Sequence, residues 1–225
     1  MRVARRAPAL VSRMLPWIPG MKPEGVKAVL GDLPYMTLEQ GKALTEFLHE
    51  TKSRKVLELG FYHGVSSCYL GAAMKEARGE PIVTIDLISA KHRTPNIEEL
   101  VKKCQIEEYV EYYYEPTSYN WRLMKFIEFN DRKFDFCFID GGHDWYNTGF
   151  CFFLVDKLLE NNGWILFDDL DWKMENIKKP WAQKRPLDER RTAQVRKVWE
   201  LLVKQHPAYG EFREEGRWAF AKKVA

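Results

Sequence analysis

Residues 134–149 read FDFCFIDGGHDWYNTG. The apolar run from Phe134 to Ile139 stops at Asp140, two glycines and His143, and a helical stretch follows from Trp145 to about Glu160. An apolar run closed by a glycine turn and then a helix is one step of a parallel strand–helix–strand fold. The step recurs along the chain. KVLEL (55–59) leads through a glycine turn to a helix over 65–75, and PIVTID (81–86) precedes a helix over 96–104. YVEYYY (109–114) precedes a helix near 121–129, and GWILFDD (163–169) is a fifth strand. Upstream, MTLEQGKALTEFLHE (36–50) reads as a helix, with Thr37 as N-cap and Gln40 completing a capping box. The tail changes character. Residues 170–197 hold nine Lys/Arg against four Asp/Glu, together with Trp172 and Trp181, and the second half of this stretch should start a helix running to about Gln205. GEFREEGRWAFAKK closes the chain as a hairpin, with strands near Tyr209–Arg213 and Arg217–Ala221. The expected architecture is therefore α/β: a Rossmann-like, doubly wound, mostly parallel seven-stranded sheet with a C-terminal antiparallel hairpin.

Composition narrows the class. The chain has 225 residues, 45% apolar and 30% charged, enough for one domain with a sizeable core. A net charge of +3 is too small to argue for nucleic acid, and none is expected as a partner. Cys68, Cys104, Cys137 and Cys151 sit in apolar stretches without C-x-x-C spacing, so they read as reduced core residues of a cytoplasmic protein. No stretch approaches the ~18 apolar residues of a spanning helix. Residues 1–35 carry Arg2, Arg5, Arg6, Arg13 and Lys22 before the first acid, Glu24, and read as a basic lid or surface segment. Peripheral membrane contact through this basic N-terminus is the alternative, and a homo-oligomer is left open.

Four strands end in acids: Glu58, Asp86, Asp140 and the pair Asp168–Asp169. In open α/β sheets the ligand site lies outside the carboxyl ends of the strands, so these carboxylates belong to one candidate site. Gly60 and Gly64 form G-x-x-x-G rather than the dinucleotide G-x-G-x-x-G, which disfavours a nicotinamide dehydrogenase. The glycine turn lets a ligand approach the backbone, and free amides of the next helix suit a carboxylate or a phosphate. Asp86 stands where an acid can accept hydrogen bonds from both hydroxyls of a ribose. Asp140, Asp168 and Asp169 offer only oxygen, a donor set for Mg²⁺ or another hard divalent cation. The plainer reading of Asp168–Asp169 is a cap on the following segment or a pair facing solvent.

The pattern E-L-G-x-Y-x-G-x-S (Glu58, Leu59, Gly60, Tyr62, Gly64, Ser66) resembles the first motif of catechol-type O-methyltransferases, within the class I S-adenosylmethionine-dependent methyltransferases. IDGGH…LLENNGWILFDD is similar to their metal-dependent subgroup, which includes catechol and macrolide-sugar enzymes, and the resemblance spans about Leu38–Asp169. It implies that Gly60, Tyr62, Gly64 and Ser66 hold the methionine portion of S-adenosylmethionine, that Glu58 supports its amino end, and that Asp86 binds its ribose. EPTSYN departs from the family's G-x-S form, so Thr117 or Ser118 is only a weak match for the adenine contact. Asp140, Asp168 and Asp169 would hold the metal, with Asp140 also counted among the cofactor contacts and, with His143, as catalytic. His143 falls where relatives carry a general base. Residues 36–225 would then be the methyltransferase domain, with 170–195 an insertion on the acceptor side. The expected reaction is methylation of a hydroxyl on a small molecule or a sugar. The alternatives are a metal-independent enzyme of the same fold, using His143 alone, and a non-catalytic S-adenosylmethionine-binding module.

Overall fold

A computed structural model describes residues 20–225. Residues 1–19, with most of the expected basic segment, lie outside the described residues. Seven strands form one sheet in the order β3-β2-β1-β4-β5-β7-β6, so the chain order reverses between β1 (Val56–Leu59) and β4 (Phe134–Ile139). The others are β2 (Ile82–Leu87), β3 (Val110–Glu115), β5 (Leu159–Phe167), β6 (Tyr209–Glu215) and β7 (Trp218–Lys223). Parallel pairing of β2 with β3 and of β4 with β5, and antiparallel pairing of β5, β7 and β6, give the Rossmann-like sheet with its terminal hairpin. The chain divides into two compact units, one from the described residues up to Val56 with Phe61–Pro116, the other Leu57–Gly60 with Thr117–Ala225.

In the first unit, helix α1 (Pro23–Leu30) opens on proline and buries Val26 and Leu30. It belongs to the stretch read as lid or surface. Helix α2 (Leu38–Glu50) starts at the expected capping box: Gln40 N donates to Thr37 Oγ1 at 3.2 Å, and Thr37 N donates to Gln40 Oε1 at 2.9 Å. Helix α3 (Val65–Ala77) buries every residue from Val65 to Met74, as expected of a helix clamped on a sheet. Helix α4 (Ile97–Lys103) has a second capping box, between Asn96 and Glu99.

In the second unit, helix α5 (Tyr119–Phe129) precedes β4, and α6 (Trp145–Leu158) joins β4 to β5. Strand β5 begins four residues earlier than the sequence suggests. Leu159 pairs with Phe134 and Trp164 with Phe136, so Asn161-Asn162-Gly163 is a bulge inside the strand, with Asn162 at φ 68°, instead of a turn before it. The tail helix is also broken, into α7 (Pro180–Gln183), α8 (Leu187–Arg191) and α9 (Gln194–Val198), with a π-helical turn over Trp199–Val203. Buried Gln194 explains one break. Its Oε1 accepts from Trp145 N at 2.7 Å and its Nε2 donates to Glu189 O at 2.8 Å, bonds that a continuous helix would forfeit. The four cysteines are buried and free, as expected. No helix among the described residues is long and apolar enough to cross a membrane.

Candidate active site

The turn after β1 belongs with the end of β2. Asp86 Oδ2 accepts from Phe61 N at 2.9 Å and Tyr62 N at 2.6 Å, and Oδ1 accepts from Leu87 N at 2.6 Å. A carboxylate offers about four lone-pair sites. Three are taken by backbone amides, which leaves one for a further donor. Gly64 caps α3 at φ 98°, and a Cβ there would lie 2.7 Å from Ile97 Cγ1, so only glycine serves. Tyr62 is exposed beneath the Arg93 guanidinium, 3.6 Å from its ring centroid, and Ser66 is buried in the first turn of α3. Ser118 caps α5, its Oγ accepting from Asn120 N at 3.1 Å.

The acid cluster lies in the second unit, where chain order reverses. Asp140 N donates to Leu59 O at 2.9 Å and Asp168 N to Ile139 O at 3.0 Å, so backbone pairing carries β1, β4 and β5 in step past their ends. Gly60 makes this approach possible: at φ 91°, a Cβ would sit 2.5 Å from Asp140 O. Glu58 is fully buried in β1, and its charge is felt by Asp140. Burial first, then the charges of Asp168, Asp169 and Glu58, push the Asp140 carboxyl well above the usual carboxylate range, while Arg217 opposes them. Asp168 and Asp169 are raised too, chiefly by burial, and Arg217 again opposes.

His143 is fixed by its neighbours in sequence. Thr148 Oγ1 donates to the Gly142 carbonyl, and Asp144 caps α6 by accepting from Asn147 N at 2.8 Å. The half-buried imidazole places Nε2 2.7 Å from Asp169 Oδ2, with the Trp172 ring edge-on at 4.9 Å between centroids. Burial holds His143 below the ordinary imidazole range, against the pull of the Asp168 and Asp144 charges, so the neutral ring is favoured. Ligand atoms of Asp140, His143 and Asp169 lie within 4.8 Å of one another. Asp168, expected in that set, makes a contact of its own. Its Oδ1 accepts from Arg217 Nε at 2.5 Å, and Arg217 also bonds Asp169 Oδ1. Sequence reasoning missed Arg217, which enters from the hairpin turn before β7.

With the strand order, the reversal point and this cluster in view, likeness to known proteins can be weighed. A family model described as "Methyltransferase domain" matches residues 57–170. The chain belongs to the methyltransferase-domain family. Solved structures agree on its class I fold. An O-methyltransferase from Bacillus cereus in complex with S-adenosylhomocysteine superposes with TM-score 0.64 at 21% identity, over 90% of each chain. The S-adenosylhomocysteine-bound Podospora anserina methyltransferase PaMTH1 gives 0.66 at 20%, over 92% of this chain and 89% of its own. The O-methyltransferase TomG from Streptomyces achromogenes, involved in tomaymycin synthesis and bound to S-adenosylmethionine, gives 0.62 at 17%, over 91% and 88%. No curated protein sequence gives a significant match. In this methyltransferase the motif from Glu58 to Ser66 and the acids Asp140, Asp168 and Asp169 all lie within the matched stretch.

Proposed function

We propose that the protein is an S-adenosylmethionine-dependent O-methyltransferase that uses a hard divalent cation such as Mg²⁺ and methylates a hydroxyl of a small molecule or a sugar. The observation carrying this reading is the meeting of Asp140, His143 and Asp169 at the strand-order reversal of a methyltransferase fold. The donor set fits a dication. Arg217 pairs with Asp168 and Asp169 only. Burial raises the pKa of Asp140, Asp168 and Asp169, with mutual repulsion adding to it at the first two, a penalty that a bound dication would relieve. Arg217 takes Oδ1 of Asp168, which leaves Oδ2 for a metal beside Asp140. A bound cation would lower the pKa of an acceptor hydroxyl and so ease its deprotonation.

The residues then divide the work. Bonded to Asp169 through Nε2, neutral His143 keeps its lone pair on Nδ1, the nitrogen that takes the hydroxyl proton. Asp169 orients the ring, as a carboxylate does behind other histidine bases. The deprotonating oxygen attacks the methyl carbon in line while the carbon–sulfur bond breaks toward sulfur, so positioning and electrostatics supply most of the acceleration. Trp172, edge-on to the base, gives a flat wall suited to a ring-bearing acceptor. Trp181, the other aromatic of that segment, is 53% exposed.

One observation favours a second reading, in which the enzyme works without metal: Arg217 already grips Asp168 and Asp169. An acceptor panel of sugars, glycosides and catechols with radiolabelled methyl donor, run with and without EDTA, tests both. Turnover lost in chelator and restored by Mg²⁺ supports the first reading. Undiminished turnover in EDTA supports the second, and no transfer to any acceptor favours a binding module.

A further inference from the structure

We propose that Arg217 is a positioning residue of the cation site, holding Oδ1 of Asp168 and of Asp169 so that Asp168 Oδ2 and Asp140 are left for the ion while Asp169 Oδ2 stays with His143. The inference rests on the cation reading above. Its geometric basis is the fork: Nε donates to Asp168 Oδ1 at 2.5 Å and a terminal nitrogen donates to Asp169 Oδ1. One planar group thus spans two successive carboxylates, a task suited to arginine and not to a lysine point charge.

Backbone structure holds the fork in place. Leu170 N donates to Arg217 O at 3.0 Å, and the β5–β7 ladder ends with Phe167 opposite Ala219, three residues short of Leu170 and two short of Arg217. Gly216, at φ 61°, makes the turn that delivers the arginine, and Asp169 itself sits in the left-handed region at φ 56°. Asp168 is buried, so its carboxylate cannot turn to water for the hydrogen bonds Arg217 provides.

The pattern of contacts argues against a guanidinium standing in for the metal. A substitute cation should engage all three acids, yet Arg217 has no ion pair with Asp140 and feels its charge only at longer range. Carboxylates that bind metals are commonly oriented by partners bonded to their remaining oxygens. Arg217 occupies that place for two of them at once.

Calorimetric titration of MgCl₂ and of MnCl₂ into full-length protein tests the role, comparing wild type with Arg217→Ala and Arg217→Lys at fixed ionic strength. Thermal melts of each ion-free protein check folding. Alanine should weaken ion binding by about 10–100-fold, the usual effect of removing a group that orients a metal ligand. Lysine should recover part of that loss. Equal affinity in Arg217→Ala would make the residue merely structural, and tighter binding would make it a competitor; either overturns the proposal. If the alanine variant does not fold, Arg217→Lys decides, and wild-type affinity there is contrary. Absence of ion binding by the wild type itself would remove the cation reading along with this one, whereas equal affinities remove only the role of Arg217.

Discussion

His143 owes its place to four neighbouring residues. Gly141 and Gly142 allow the turn, Asp144 caps the next helix, and Thr148 pins the turn from inside that helix. Because these are local in sequence, the IDGGH motif was readable as a candidate site without a structure. The bond from His143 to Asp169 was not, since it depends on a strand twenty-odd residues away. If Nδ1 is the base, His143→Ala should lower kcat by roughly 10²–10⁴-fold, the ordinary contribution of a general base. Affinity for the methyl donor should stay near that of the wild type. Single-turnover rates at saturating donor and cation measure this, and an unchanged rate in the variant would make His143 structural. Asp86 teaches the complementary lesson. Its position at a strand end was legible, but its three backbone partners were not, because amides do not show in a residue pattern.

At the scale of elements, local chemistry was the best guide. Thr37 and Gln40 announced α2, and the apolar run Phe134–Ile139 coincides with β4 residue for residue. Long-range contacts account for the misses: the bulge in β5 follows its pairing with β4, and the broken tail helix follows Gln194. The hairpin is tied back by a further long-range contact. Glu214 of β6 accepts from Lys204 Nζ at 2.9 Å, Trp199 Nε1 at 2.7 Å and Arg196 at 3.1 Å, which together hold its carboxyl down to about 2. A folded pKa below the ordinary 4.5 means the contact stabilises the fold fully above that pH and loses its effect as pH falls toward 2. Glu214→Gln should therefore lower the melting temperature at pH 7, with the gap to wild type narrowing between about 4.5 and 2. Melts across that range check it, and a gap independent of pH would contradict the assignment.

For the whole molecule, the alternation of strands and helices was enough to foresee a seven-stranded Rossmann-like sheet, and strand-end acids were enough to nominate a candidate site. Arg217 could not be foreseen in the same way. It lies 48 residues beyond Asp169 and reaches it only because β7 runs antiparallel beside β5, a pairing that no local pattern encodes. The central claim, that this fold serves S-adenosylmethionine-dependent transfer, can be tested before any acceptor is known. Isothermal titration of S-adenosylmethionine, and of S-adenosylhomocysteine, into metal-free wild-type protein and Asp86→Asn is the most direct measurement. The account predicts single-site binding at about micromolar affinity, within the range usual for enzyme substrates. It also predicts a loss of roughly 1–3 kcal/mol in the variant, the scale of a hydrogen bond to a charged group. A well-folded wild type that takes up neither molecule would contradict it.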